Sequence, residues 1–307
     1  MIKRVAVCGQ KNIAIECTKI LLTKNIDVVF VTPNISDKGI DSWQLSFRKW
    51  ANTNNIRIVE ADHENLKKNI LESKIDLLFS IYYDKILKKD LLNLLPHGVV
   101  NTHLSALPRY RGIAPVTFAL INGETAHGVS LHYIDEGIDR GDVISQKFFN
   151  IENMNANEAF LKATDECIKL FEESVDSILD GTNNRIKQDN SKALYYSNKT
   201  INWSTDHKII DNALFFNKDT RSLFNWFRGF IFPPMQNPQI TIENVEYEIL
   251  SVKPIYENNS FEKPGTVIYI SSAQDQFSDN QLKEVKLSTH DSYIVLKLRQ
   301  IAATSNE

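Results

Sequence analysis

The 307 residues carry 35 Lys and Arg against 38 Asp and Glu, with 42 % hydrophobic and 24 % charged side chains, a balance that excludes a wholly disordered chain. The net charge of -3 argues against a broad nucleic-acid footprint, which ordinarily leaves a basic excess. Three cysteines, Cys8, Cys17 and Cys167, are too few and too scattered for a disulfide framework or a zinc cluster, and each sits in an apolar periodic segment as a small buried hydrophobe.

The length predicts one large domain or two ordinary ones. Residues 3–8 read as a short buried strand, followed by Gly9 and a helix from Ile13 to Lys24 with Ile13, Cys17, Ile20 and Leu21 on one face. The opening apolar run, Val5 to Gly9, is too short for a signal-peptide core, and no stretch approaches the ~20 apolar residues of a membrane span. The expectation is a soluble, cytoplasmic protein. A second strand covers Asp27 to Thr32, then a helix Trp43 to Asn52, a strand Ile56 to Val59 and a helix His63 to Leu71. The most apolar strand, Asp76 to Ile81, follows, and Gly98 to Thr102 is another that runs straight into His103. Strands alternating with helices of this size predict an α/β class with a Rossmann-like, mostly parallel sheet covered on both faces. In such sheets chemistry collects at the carboxyl ends of the strands.

A long helix is signalled from Ala156 to Asp180, opened by the capping box of Asn155 and Glu158 and stopped by Gly181. After Asn183 the texture changes. A short helix, Arg221 to Phe227, precedes Pro233-Pro234, and then come β-like runs Ile240–Val245, Tyr247–Val252, Thr266–Ile270, Val285–Ser288 and Ser292–Leu298. This divides the chain into a catalytic domain over 1–200 and a smaller β-rich domain over 201–307, with a soft boundary between 200 and 237.

The chemistry-bearing segment is Asn101-Thr-His103-Leu-Ser105-Ala-Leu107-Pro108-Arg-Tyr-Arg111-Gly112, followed by Gly128-Val-Ser-Leu-His132-Tyr-Ile-Asp135-Glu-Gly137-Ile-Asp139-Arg-Gly141-Asp142. Asn101 and His103 are two apart on a strand end and share a face, while Ser105 either continues that side or turns away. A primary amide, an imidazole and a carboxylate suit attack by an amine on an acyl carbon: the amide donates to the developing oxyanion, the imidazole handles a proton and the carboxylate orients it. The same residues equally describe a strand cap, a satisfied histidine and a solvated turn, and spacing alone leaves both readings open. A calcium loop fits less well, because Asp135-Glu-Gly-Ile-Asp139 lacks the alternating ligands and the terminal Glu of an EF-hand.

The pattern Asn-x-His-x-Ser-x-Leu-Pro, then Asp-x-Gly-x-Asp-x-Gly, resembles the folate-dependent formyltransferases, which move a formyl group from 10-formyltetrahydrofolate to an amine. The resemblance extends through Phe79-Ser-Ile-Tyr-Tyr-Asp-Lys-Ile-Leu87, Ala114-Pro115 and Asn122-Gly-Glu124, and covers about residues 1–200. It implies a catalytic trio of Asn101, His103 and Asp139, with the proton taken by either His103 or Asp139. It implies that Lys85, Ile86, Leu87 and Ile113 hold the pterin, that the loop Asp135, Glu136, Gly137, Ile138 closes around its other side, and that no metal is needed.

Three acceptors are compatible with the family. A phosphate cradle for glycinamide ribonucleotide needs several glycines after the first strand, and Cys8-Gly-Gln-Lys-Asn12 has one. The tRNA enzymes carry a Gly-Thr-Pro motif there, which is absent, and the region after Thr205 has no dense basic cluster. Phe79-Ser-x-Tyr-Tyr83, Tyr110-Arg-Gly-x-Ala-Pro115 and Asn122-Gly-Glu-Thr125 resemble the enzymes that formylate nucleotide-linked amino sugars. That implies a dTDP-linked 4-amino-4,6-dideoxyhexose or its 3-amino isomer, made for a surface polysaccharide such as an O-antigen, and a homodimer. Lys11, Tyr83, Arg109, Arg111, Trp203 and Arg228 are the candidate substrate contacts, the aromatic set from Trp203 to Phe232 supplying stacking surface. The alternatives are a methionyl-tRNA formyltransferase and an inactive family member serving as a binding module.

Overall fold

The computed structural model describes residues 2–233, 235–257, 262–274 and 281–301. Pro234 and residues 302–307, which the sequence-based domain estimate includes, lie outside the described residues. The elements are β1 (Arg4–Gly9), α1 (Lys11–Thr23), β2 (Asp27–Pro33), α2 (Phe47–Thr53), α3 (His63–Ser73), β3 (Leu77–Ile81), α4 (Lys89–Leu92), β4 (Val99–His103), β5 (Arg111–Gly112), α5 (Pro115–Ile121), β6 (Ala126–Tyr133), β7 (Val143–Asn150) and α6 (Ala156–Asp180). They continue with β8 (Tyr195–Tyr196), β9 (Lys208–Ile209), α7 (Asn212–Phe216), α8 (Thr220–Phe230), β10 (Gln239–Ile242), β11 (Val245–Ile255), β12 (Val267–Gln274), β13 (Gln281–Ser288) and β14 (Tyr293–Gln300).

The chain forms two compact units: the first takes 1–115, 127–149 and 161–196, and the second takes 116–126, 150–160 and 197–307. In the first unit a six-stranded sheet runs in the order β2-β1-β3-β4-β6-β7. The pairs β1–β2, β1–β3 and β3–β4 are parallel, whereas β4–β6 is antiparallel. All five residues of β3 are buried, as a central parallel strand covered on both faces requires. One core beneath this sheet gathers Ala6, Cys8, Phe30, Leu66, Ile70, Leu78, Leu91 and Val99.

Two expected elements change. The helix expected from Trp43 starts at Phe47 because Ser46 caps it: the Ser46 hydroxyl oxygen accepts the Lys49 N–H at 3.0 Å and donates to Asp37 at 2.5 Å. The strand expected over Ile56–Val59 reduces to a single parallel bridge between Val31 and Ile58. The capping box on α6 is present in both directions, with Asn155 N–H to Glu158 Oε2 at 2.9 Å and Glu158 N–H to Asn155 Oδ1 at 3.0 Å.

The second unit holds a sheet in the order β12-β13-β14-β11-β10-β9, mostly antiparallel. α8 lays Leu223, Phe227 and neighbouring Ile231 into a core with Ile240, Ile249, Val285, Ile294 and Leu296. The aromatic side chains of α8 pack among themselves, Trp226 lying 4.7 Å from both Phe215 and Phe230. They form packing within this unit rather than a free stacking surface.

Arg228 also differs from its expected role as a diphosphate contact. It is 3 % exposed, and its guanidinium donates to the carbonyls of Ile151, Glu152 and Glu124 at 2.8, 2.9 and 3.0 Å. Burial lowers its pKa to about 10. A guanidinium is well suited to this task, because its five N–H donors serve several main-chain acceptors at once. Arg228→Met preserves volume but strips those buried acceptors of their donor, so unfolding stability should fall by about 2–4 kcal/mol, read as a lower urea midpoint.

Candidate active site

β4 carries the centre of the site. The parallel register with β3 sets Ser80 beside Asn101, and the antiparallel register with β6 sets Asn101 beside His132. Three polar side chains therefore form one row across three strands. The Ser80 hydroxyl donates to Asn101 Oδ1 at 2.7 Å, and Asn101 Nδ2 contacts His132 Nε2 at 3.0 Å. His132 is 1 % exposed, and its Nδ1 lies 2.8 Å from the Tyr133 carbonyl.

His103, two residues beyond Asn101, lies on the same face. Its Nε2 donates to the Tyr110 carbonyl at 2.8 Å. A carbonyl only accepts, so Nδ1 is the nitrogen left to exchange a proton. That nitrogen sits 3.6 Å from Asp139 Oδ2. The Ser105 hydroxyl donates to the Arg109 carbonyl at 2.7 Å and lies 3.3 Å from the Tyr110 carbonyl that His103 engages.

Asp139 adopts a left-handed backbone, φ 52°. Its surroundings offset that strain. Oδ2 accepts the Gly112 N–H at 2.8 Å, and Oδ1 lies 3.5 Å from His132 Nε2. Burial opposes ionisation of this carboxyl, but the His103 imidazole and the Gly112 N–H outweigh it and hold the group well below the usual carboxylate range.

The loop is braced from behind. Arg111, expected as a phosphate contact, is buried and donates from Nε and Nη2 to Gln188 Oε1 at 3.1 and 2.7 Å, and from Nη2 to Asn190 Oδ1 at 2.9 Å. Gln188 Nε2 in turn donates to the carbonyls of Asp139 and Gly141 at 2.9 and 2.8 Å. Arg111 thus serves the architecture of the Asp139 loop, which satisfies its charge-assisted donors and leaves it unsuited to the expected contact.

The segments expected to hold the pterin are adjacent: Lys89 Nζ reaches Glu136 at 2.6 Å, joining the stretch after Leu87 to the Asp135–Ile138 loop. Ile86 and Ile138 are exposed aliphatic side chains, 75 % and 43 %, whereas Leu87 turns into the core and offers a ligand only its backbone. Lys85 is exposed, Asp135 Oδ1 accepts the Gly137 N–H at 2.8 Å, and half-buried Ile113 donates its N–H to the Tyr196 carbonyl at 3.1 Å. Lys11, whose pKa burial lowers, places Nζ 4.8 Å from the Trp43 ring and 5.3 Å from that of Tyr82. Tyr83 packs against the core, and burial pushes its phenol well up. Arg109 is exposed over the Tyr110 ring, and Trp203 meets Phe230 edge-on within the second unit.

Ser80 and His132 lie within the motif segments of the sequence but take no role from it, and sequence reasoning misses Gln188 altogether. Ser80 and His132 leave a signal, as polar residues within apolar strand runs, Leu77-Leu-Phe-Ser80-Ile and Val129-Ser-Leu-His132. Gln188 leaves none.

Residues 3–168, more than half of the chain, match the formyl transferase family. The chain belongs to that family. It is 30 % identical over 242 residues to methionyl-tRNA formyltransferase of Staphylococcus aureus strain MW2, covering 77 % of this chain and 72 % of that protein. WlaRD, a sugar 3N-formyl transferase whose structure was determined in the presence of dTDP and 5-N-formyl-THF, superposes with a TM-score of 0.76 at 27 % identity, over 98 % of this chain and 99 % of that one. The N-formyltransferase from Helicobacter canadensis, in complex with folinic acid and dTDP-3-aminofucose, has a TM-score of 0.76 at 26 % identity, over 97 % of this chain and 100 % of that one.

For this formyl transferase the geometry yields two expectations. A Cβ on Gly141 would lie 1.9 Å from the Tyr133 carbonyl oxygen, so Gly141→Ala must displace the Asp139 loop and should lower kcat by about ten-fold or more. Gly181→Ala, with nothing within 4 Å of its Cβ, is the control, and should cost about 1 kcal/mol of stability with kcat unchanged. The second expectation concerns pH. A depressed carboxyl contributes stability in full above its unfolded pKa, about 3.9, and loses it as pH falls through the folded value. The stability that the wild type draws from the Asp139 carboxylate, relative to Asp139→Asn, should therefore be lost as pH falls below about 4, as followed by urea denaturation.

Proposed function

We propose that the protein transfers the formyl group of 10-formyltetrahydrofolate to the amine of a dTDP-linked amino-dideoxyhexose. The observation that carries this is the match of the whole chain, second unit included, to two sugar N-formyltransferases, where the tRNA-modifying relative is covered over 72 % of its length. Both neighbours involve a 3-amino position, which favours the 3-amino isomer over the 4-amino sugar that the sequence placed first.

The chemistry follows from the row and the loop. Asn101 offers an amide N–H to the formyl oxygen as charge develops there. His103 Nδ1 takes the proton of the attacking amine as the new C–N bond forms, and returns it to N10 of the folate as the formyl C–N10 bond breaks, so that the products are the formamide and tetrahydrofolate. Asp139, held ionised, stabilises the resulting imidazolium, and a carboxylate this acidic is too weak a base to compete for the proton itself. Of the two bases left open by the residues, His103 is the one the electrostatics favour. Exposed Ile86 and Ile138, on segments joined by the Lys89–Glu136 pair, suit the flat pterin. For the diphosphate, the first turn of α1 has no side-chain cap at Gln10 and begins with Lys11, a combination of main-chain N–H groups and positive charge that favours an anion. Exposed Arg109, after β4, supplies a second positive charge.

The second reading is a methionyl-tRNA formyltransferase, favoured by the identity to the Staphylococcus protein. A panel of dTDP-, UDP- and GDP-linked 3-amino and 4-amino sugars, with methionyl-tRNA alongside, should show formyl addition by mass spectrometry to a dTDP-linked sugar first. Asn101→Ala, His103→Asn and Asp139→Asn should each lower turnover by ~100-fold or more. Ready formylation of methionyl-tRNA with no dTDP binding below millimolar would establish the second reading instead.

A further inference from the structure

The row across β3, β4 and β6 raises a question that the catalytic trio does not answer: what decides which end of the Asn101 carboxamide points where. The two ends of an amide have the same shape, and only a hydrogen-bond partner with a fixed preference distinguishes them. Ser80 has no such preference, because a hydroxyl donates to Oδ1 or accepts from Nδ2 equally well. His132 has one. Its Nδ1 faces the Tyr133 carbonyl at 2.8 Å, an atom that only accepts, so Nδ1 carries the proton. In the neutral ring Nε2 is then a bare acceptor, and at 3.0 Å it tolerates only the N–H end of Asn101. The Oδ1 end is left for the Ser80 hydroxyl at 2.7 Å. The nearby ionisable groups are Asp139, with Oδ1 at 3.5 Å from Nε2, and His103, whose ring centre is 6.4 Å away.

We infer that His132 is a positioning residue which, as the neutral Nδ1–H imidazole, selects the Asn101 rotamer that keeps an N–H for the formyl oxygen. Nδ2 carries two protons: one engages His132 and the other serves the reaction. In the reversed amide a carbonyl oxygen would meet the oxygen that gains charge, and repel it. His132 touches neither substrate nor transferred group in this role and acts through Asn101 alone. The inference rests on formyl transfer and is independent of which amine accepts the group.

The test is a double-mutant cycle on the full chain, with 10-formyltetrahydrofolate and the amino sugar found by the panel above. His132→Leu removes the acceptor and should lower kcat by about ten-fold, with KM for the folate within about two-fold, since only an interaction realised during reaction is lost. His132→Gln, whose amide presents either an acceptor or a donor and so has no fixed preference, should recover only part of the kcat lost in His132→Leu. In an Asn101→Ala background, His132→Leu should change kcat by less than about two-fold, whereas a general packing role would add its full loss there too. An undiminished kcat in His132→Leu, or the same loss in both backgrounds, overturns the inference. Nitrogen-15 NMR of the wild-type histidines reads the claim without any acceptor or variant: His132 should show a protonated Nδ1 and a bare Nε2, and the opposite tautomer also overturns it. If the wild type formylates nothing on the panel, the acceptor assignment has failed, and the NMR measurement still decides the role of His132.

Discussion

The register of β4 against its two neighbours is the constraint on which the site depends. β4 pairs parallel to β3 and antiparallel to β6, so a residue at one height on β4 meets one defined residue on each side. At the height of Asn101 those residues are Ser80 and His132. A buried polar side chain without a partner costs about 1–3 kcal/mol, so a lone amide in this sheet would be a liability. Placed in a row, the three side chains satisfy one another, and the backbone ladder rather than side-chain packing holds the Asn101 amide in place. A one-residue slip of β6 would carry His132 to the opposite face and leave Asn101 facing an apolar side chain.

Asp139 reaches the same place by a different route. It comes from the loop between β6 and β7, where no ladder dictates position, and its backbone is in a left-handed conformation that is unfavourable for an aspartate. The Gly112 N–H on its carboxylate and Gln188 on its carbonyl, with Arg111 behind Gln188, supply what the ladder does not. The loop and the β5 segment are therefore mutually dependent: the carboxylate anchors Gly112 while Gly112 helps to keep the carboxylate ionised. Electrostatics and structure are the same contacts seen twice.

Two arginines in motif-like settings, Arg111 and Arg228, turn out to serve the protein's own polar groups. Each is buried within its own unit, where an unpaired guanidinium would be costly and where a fork of donors finds several acceptors. The cations that remain exposed or near a helix start, Arg109 and Lys11, are less conspicuous in the sequence. Positive charge in a sequence says little about ligand binding until its burial is known.

Much of this protein is legible in the order of its residues. The alternation of apolar strands and amphipathic helices, the capping box at Asn155 and Glu158, and the stop at Gly181 all arise from local rules, and the folded chain obeys them. The i, i+2 spacing of Asn101 and His103 is equally local, which is why one strand end sufficed to place both on one face. Ser80 and His132 lie 21 and 31 residues from Asn101, and no periodicity links them. The strands β6 and β7, the reversal of direction at β6 and the brace from Gln188 to the Asp139 loop likewise involve partners distant along the chain. Local propensity determined the elements and the residue types offered for chemistry. Strand register and burial, which exist only once remote segments pair, decided which of those residues meet and which end of the Asn101 amide faces His132.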